Sequence, residues 1–302
     1  MSDTNTPSFA RYLAAVERLV AQGGPQPDED EALTELIAQV SADLEAGLLS
    51  DDDRARLRTA LRFTPETMQG FAYLKPNGHA GCYEIIDRIY RRYHAADPAL
   101  FNWDRYWQRH SAAEAVRNRK DYFQKLVLDI VGRRGCVSIL NVASGSCRDV
   151  QELFDACPDL PVQVVCVEQD PRAIEYAAVL CREHLTKVSF REGNAFKYSV
   201  DERYDLVWSA GLFDYLSDRL FVRLAARLAG MVKPGGELVI GNFNESNPSR
   251  PYMELFDWVL NHRSPETLGD LAVKCGFVAE QIEVRAEPAG VTLFLHPRRS
   301  AI

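Results

Sequence analysis

Apolar positions recur at helical spacing through the first part of the chain, with Phe9, Leu13, Val16 and Val20 in one stretch and Leu33, Leu36, Ile37, Val40 and Leu44 in the next. A breaker, Gly23-Gly24-Pro25-Gln26-Pro27, separates them, so two or three amphipathic helices are expected here. Thr64-Pro65-Glu66 reads as a helix start, Thr as the cap and Pro in the first turn, followed by an irregular glycine-bearing stretch over 70–84. Residues 83–93 and then 103–131 return to helical spacing, the latter with Phe123, Leu126, Val127 and Ile130 on one face.

From Cys136 the period changes. Short β-branched runs (VSILNV, PVQVVCVE, KVSFREG, YDLVWSA, ELVIGNF, VAEQIEVR, VTLFLH) alternate with helical segments, the pattern of a parallel sheet covered on both faces. Only the turn EPAG joins the last two runs. That is too short for a parallel crossover, so they must pair antiparallel.

The expected class is therefore α/β: a Rossmann-like, mostly parallel sheet of seven strands with a C-terminal antiparallel hairpin and an N-terminal helical cap. Residues 1–120 are assigned to the cap and substrate-facing region, 121–302 to the cofactor-binding domain. The 302 residues suit two such unequal parts. With 46% hydrophobic and 26% charged residues the composition is globular, and a net charge of -8 leaves no overall basic field, so nucleic acid is not an expected partner. No run approaches a membrane span and the N-terminal stretch lacks a leader's pattern, so a cytoplasmic protein is expected. The seven cysteines are scattered without metal-ligand spacing, which predicts reduced thiols and no metal.

In sheets of this kind ligands bind beyond the strand carboxyl ends, where the strand order reverses. The first exit, Asn141-Val142-Ala143-Ser144-Gly145-Ser146-Cys147, is built of small residues that let backbone N–H groups approach a ligand. Ala143 and Cys147 stand where the dinucleotide pattern has glycines, so a pyrophosphate is poorly supported. Glu168, followed by Gln169, ends the second strand and can accept from both hydroxyls of a ribose. Asn194, Ala195 and Phe196 at the third exit offer an amide and a ring to an adenine. Ser209 and Gly211 open the fourth exit and Asn242 the fifth, after Lys233-Pro234-Gly235-Gly236.

This ordered set resembles the class I S-adenosylmethionine-dependent methyltransferases over about residues 121–302. The resemblance implies that the first turn holds the methionine part of S-adenosylmethionine, Glu168 the ribose and the third exit the adenine. Further stretches, Thr67-Met68-Gln69-Gly70, Lys75-Pro76-Asn77-Gly78-His79-Ala80-Gly81, residues 115–120 and Ser209–Leu216, are similar to a bacterial branch. That branch includes makers of 3-hydroxypalmitic acid methyl ester and synthases that cyclise S-adenosylmethionine to azetidine-2-carboxylate. The first turn of the superfamily usually opens with an acid, where this chain has Asn141, and the branch's GYAGD is GHAGC here, with His79 and Cys82.

A small-molecule substrate is expected, most simply a carboxylate-bearing metabolite that takes the methyl group. Tyr83, Tyr252 and Asn242 are the expected residues at the reacting groups, and Tyr73, Arg117, Arg119 and Tyr215 those that hold the substrate. Aromatic faces attract a sulfonium, and a guanidinium matches a carboxylate bidentately. The alternative is a cyclase in which the α-amine of S-adenosylmethionine displaces methylthioadenosine. A neutral Asn141 suits it, since an acid there would favour the protonated amine. A third reading is a binding protein without turnover.

Overall fold

The computed structural model describes residues 7–298, so Met1–Thr6, part of the stretch read for a leader, lie outside the described residues. The chain divides into two compact units, one of residues 1–113 with Pro248–Val259 and one of residues 114–247 with 260–302. The sequence boundary at residue 120 left Pro248–Val259 with the sheet. In the structure this segment groups with the helices.

The helical unit comprises α1 (Pro7–Ala21), α2 (Asp30–Glu45), α3 (Asp51–Ala60), α4 (Met68–Leu74), α5 (Tyr83–Tyr90) and α6 (Phe101–Arg109). After the fifth strand of the sheet, a later helix (Arg250–Leu255) returns to this unit. The expected helix start at Thr64 lies one turn too early. Thr67 is the cap, its hydroxyl accepting from Gly70 N at 3.1 Å, and α4 takes only the first five residues of the stretch read as irregular, the turns from Lys75 to Cys82 remaining so. Gly70 is required there because a Cβ would fall 1.9 Å from the Thr64 carbonyl oxygen. His110, with extended backbone, separates α6 from α7 (Ser111–Arg134) where the sequence reads as one helix.

The sheet unit carries β1 (Val137–Val142), α8 (Arg148–Ala156), β2 (Val162–Glu168), α9 (Pro171–Leu180), β3 (Val188–Glu192), β4 (Tyr204–Ser209), α10 (Asp218–Ala229) and β5 (Val232–Phe243). After the α11 segment (Arg250–Leu255) come α12 (Pro265–Lys274), β6 (Ile282–Ala286) and β7 (Thr292–Pro297). The strand order is β3-β2-β1-β4-β5-β7-β6, parallel except for β7, which pairs antiparallel with both β5 and β6. The antiparallel ending is the one the EPAG turn required.

Alternation along the strands sorts side chains between two cores. Ile139, Leu206, Trp208 and Val239 face α7, α8 and α9, while Leu140, Val207, Leu238 and Ile240 face α10 and α12. Both faces are thus covered, and β4 is buried at every position, as a central parallel strand must be. Strand order reverses between β1 and β4, so the ligand crevice of such a sheet lies beyond the carboxyl ends of these two strands.

Candidate functional site

The exit of β1 makes a tight left-handed turn. Ala143 and Cys147 both have φ of 55° and Gly145 has 56°. The two positions at which glycine was missing from the sequence pattern therefore keep glycine's backbone conformation, at a cost of roughly 1–2 kcal/mol for each residue bearing a Cβ. The turn is tied to β2 by Ala143 N donating to the Val167 carbonyl at 2.8 Å.

Glu168 anchors this turn. Its Oε2 accepts from Gly145 N at 3.0 Å, and its Oε1 from Gln169 N at 2.7 Å and Asp170 N at 3.1 Å. One carboxylate thereby brings the first and second exits together. The third exit joins them: Asn194 Nδ2 donates to Gln169 Oε1 at 3.1 Å, and Phe196 N donates to Asn194 Oδ1 at 3.0 Å. Ala195 and half-buried Phe196 pack against the core on the α10 side.

The fourth exit is held from two sides. Ser209 Oγ donates to the Val142 carbonyl at 3.0 Å, linking β4 to β1. Arg119, buried on α7, donates to the Ala210 carbonyl at 2.8 Å, next to Gly211. Gly241 completes the packing, since a Cβ there would lie 3.0 Å from the Ala210 backbone. Arg119, expected as a substrate clamp, lies at the β4 exit with its bond to the Ala210 carbonyl. Arg117 is half-buried, and Tyr215 is 40% exposed.

Two buried polar atoms in the first exit have no hydrogen-bond partner: Asn141 Nδ2 and Ser144 Oγ. Asn141 is only 3% exposed and Ser146 2%. An unsatisfied buried donor costs on the order of 1–3 kcal/mol, so two at one turn mark a place for a polar ligand group.

Asn242 and Tyr252 are less available than the sequence suggested. Asn242 is fully buried, its Nδ2 donating to the carbonyls of Phe243 and Asn261, each at 2.9 Å, and its Oδ1 accepting from Arg263 Nη1 at 2.6 Å. Those bonds fix the end of β5. In the helical unit, buried Tyr252 donates to Gln69 Oε1 at 3.1 Å, and His110 stacks on its ring at 4.1 Å. Burial pushes the phenol pKa well up, so Tyr252 is a neutral donor. Tyr73 lies against Phe63 at 4.5 Å in the same unit, and half-buried Tyr83 opens α5.

Two acids escaped the sequence reading although they lie within the exits. Burial pushes the Asp149 carboxyl, in the first turn of α8, up to about 6. Asp214, after β4, is pushed by burial up to about 7 while its Oδ1 accepts from Phe243 N at 2.6 Å. The Arg119 guanidinium lowers both without offsetting the burial. The apolar flanks Leu212-Phe213 and Val150 were the signal that these carboxyls would be buried.

Residues 139–236 match the family model described as a methyltransferase domain, a span that runs from β1 through the exits of β2, β3 and β4 into the turn within β5. Those residues therefore carry the pattern of a methyltransferase domain. S-adenosylmethionine is the cofactor such domains use. A search of curated proteins finds no match. Among solved structures, a "possible exported protein" from Bordetella parapertussis is 20% identical, with 98% of this chain and 96% of that chain covered at a TM-score of 0.60. Magnesium protoporphyrin IX methyltransferase from Synechocystis PCC 6803, solved with bound SAH, is 11% identical, with 71% and 94% covered at a TM-score of 0.52. These likenesses are of fold. Among the described residues, no helix is long and apolar enough to cross a membrane, and no cluster of metal-ligating side chains occurs.

Proposed function

We propose that the chain transfers the methyl group of S-adenosylmethionine to a carboxylate-bearing small metabolite in the cytoplasm. The observation that carries the cofactor reading is the pair of unpartnered buried groups, Asn141 Nδ2 and Ser144 Oγ, on the turn that Glu168 ties down. Asn141 and Ser144 are suited to donate to the carboxylate of the cofactor's methionine part, with Gly145 and Ser146 closing the turn around it. Glu168 accepts from the ribose, and Gln169, Asn194, Ala195 and Phe196 frame the adenine. Ser209 and Gly211 hold the β4 exit open beside it.

The sulfonium is an activated leaving group, so the protein's task is to align a nucleophile and exclude water. Arg117 is the cation assigned to the acceptor carboxylate, since a guanidinium matches a carboxylate bidentately. Tyr215 is assigned to the acceptor as an aromatic or hydroxyl contact.

Purified chain incubated with S-adenosylmethionine, alone and with a panel of carboxylic acids, tests the reading by mass spectrometry. S-adenosylhomocysteine formed only with an acceptor, together with a methyl ester, is the expected result. Methylthioadenosine and a cyclic amino acid formed without acceptor would replace methyl transfer by cyclisation. Cofactor binding with no product would leave a binding protein.

A further inference from the structure

The helical unit contains a cavity of about 450 Å³ whose entire lining belongs to that unit. This volume falls within the roughly 300–1,000 Å³ of small-molecule sites. The cavity is a partly open cleft, with exposed Glu45 and Asp51 at its rim and buried Leu33, Ile37 and Leu57 in its wall. Its wall is mainly aliphatic, with Val16 from α1, Leu33, Ile37 and Val40 from α2, and Leu57 from α3. Such an aliphatic stretch of wall matches a flexible hydrocarbon chain.

The polar lining groups decide what the chain can carry. Gln69 is 3% exposed, its Oε1 accepts from Tyr252, and its Nε2 makes no hydrogen bond among the described residues. The wall thus presents a buried donor. The charged lining consists of one cation, Arg54, against Glu45, Asp51 and Glu254. Arg54 is ion-paired with Asp51, and Glu254 is paired with Arg250 at 2.7 Å, which leaves exposed Glu45. Three carboxylates against one cation, itself beside Asp51, make the lining unfavourable to an anionic head.

We propose that the helical unit binds a single-chain aliphatic molecule with an uncharged head, its chain against α1, α2 and α3 and a head-group oxygen accepting from Gln69 Nε2. The site is independent of the methyl-transfer reading, and its test needs no cofactor.

The full chain, without S-adenosylmethionine, is titrated with the fluorescent neutral probe N-phenylnaphthylamine, and the bound probe is displaced by dodecanol or dodecanoate at about pH 8, where the acid is ionised. Dodecanol is expected to displace the probe, and dodecanoate to compete at least ~10-fold more weakly because its charge must be desolvated beside carboxylates. Val40→Phe, with folding checked by circular dichroism, is expected to weaken both probe and dodecanol ~10-fold by filling the cavity. Gln69→Leu should keep probe binding and weaken dodecanol ~5-fold through the lost donor. The proposal is overturned if dodecanol does not displace the probe, if dodecanoate competes as well as dodecanol, or if folded Val40→Phe binds like wild type. Equal dodecanol affinity in Gln69→Leu would overturn the assignment of the head group.

Discussion

Replacing Glu168 by Gln separates the two tasks assigned to this carboxylate. In the folded chain it accepts three backbone N–H groups, one on Oε2 from Gly145 and two on Oε1 from Gln169 and Asp170. A Gln side chain keeps one accepting oxygen. If that oxygen stays with Gln169 and Asp170, the new NH₂ group faces the Gly145 N–H, donor against donor. The loss of one charge-assisted bond and the weakening of two others put the cost to stability at about 1–3 kcal/mol. A domain of this size should then melt several degrees lower. The ribose adds a second effect: hydroxyl bonds to a charged acceptor contribute about 1.5–3 kcal/mol, so affinity should fall roughly 10- to 100-fold. Calorimetric titration with S-adenosylhomocysteine, run beside a thermal melt, reads both. A lowered melting temperature with unchanged affinity would refute the ribose role and leave Glu168 as an anchor of the turn alone.

Other outcomes follow from the same geometry. Ala143→Gly should raise stability by up to ~1 kcal/mol, because relief of the left-handed strain at φ of 55° exceeds the added chain entropy; a drop in melting temperature would contradict this. Glu237, close to His296 at 3.5 Å and paired with Arg133 at 3.0 Å, is held down to about 2, so its contribution is complete above its ordinary 4.5 and disappears as the pH falls toward 2. Since Arg133 is half exposed, Glu237→Gln should cost only ~1–2 kcal/mol at neutral pH and flatten the acid limb of a urea-stability profile. Asp214 has the opposite sign. With its carboxyl raised to about 7, stability is lost as the pH rises through that value, and Asp214→Asn should vary less in stability between about pH 5 and about pH 8.

The sheet was legible because its signals are local and periodic. Alternating Ile139/Leu140, Leu206/Val207 and Leu238/Val239 specified two covered faces, and the short EPAG turn specified the antiparallel ending. The helix start at Thr64 misled because Thr-Pro satisfies local capping rules, whereas the real boundary depends on Gly70 passing close to the Thr64 backbone, a tertiary fact. Pro248–Val259 groups with the helices through the stacking of Tyr252 on His110 and its contact with Trp107, pairs about 140 residues apart that no local pattern announces. Side-chain types at the exits could be read, but their engagement could not. Arg119 and Asn242 read as ligand groups, yet each satisfies backbone carbonyls of its own fold, while Asn141 and Ser144 are the residues left with unmet bonds.

The central claim is that the turn after β1, with Glu168, is an S-adenosylmethionine site. Isothermal titration of the full chain with S-adenosylhomocysteine tests it most directly. Saturable binding of one ligand per chain, lost in the double variant Asn141→Ala, Ser144→Ala while the melting temperature stays within a few degrees of wild type, is the predicted result. Absence of heat and of any thermal stabilisation at millimolar ligand would contradict the account.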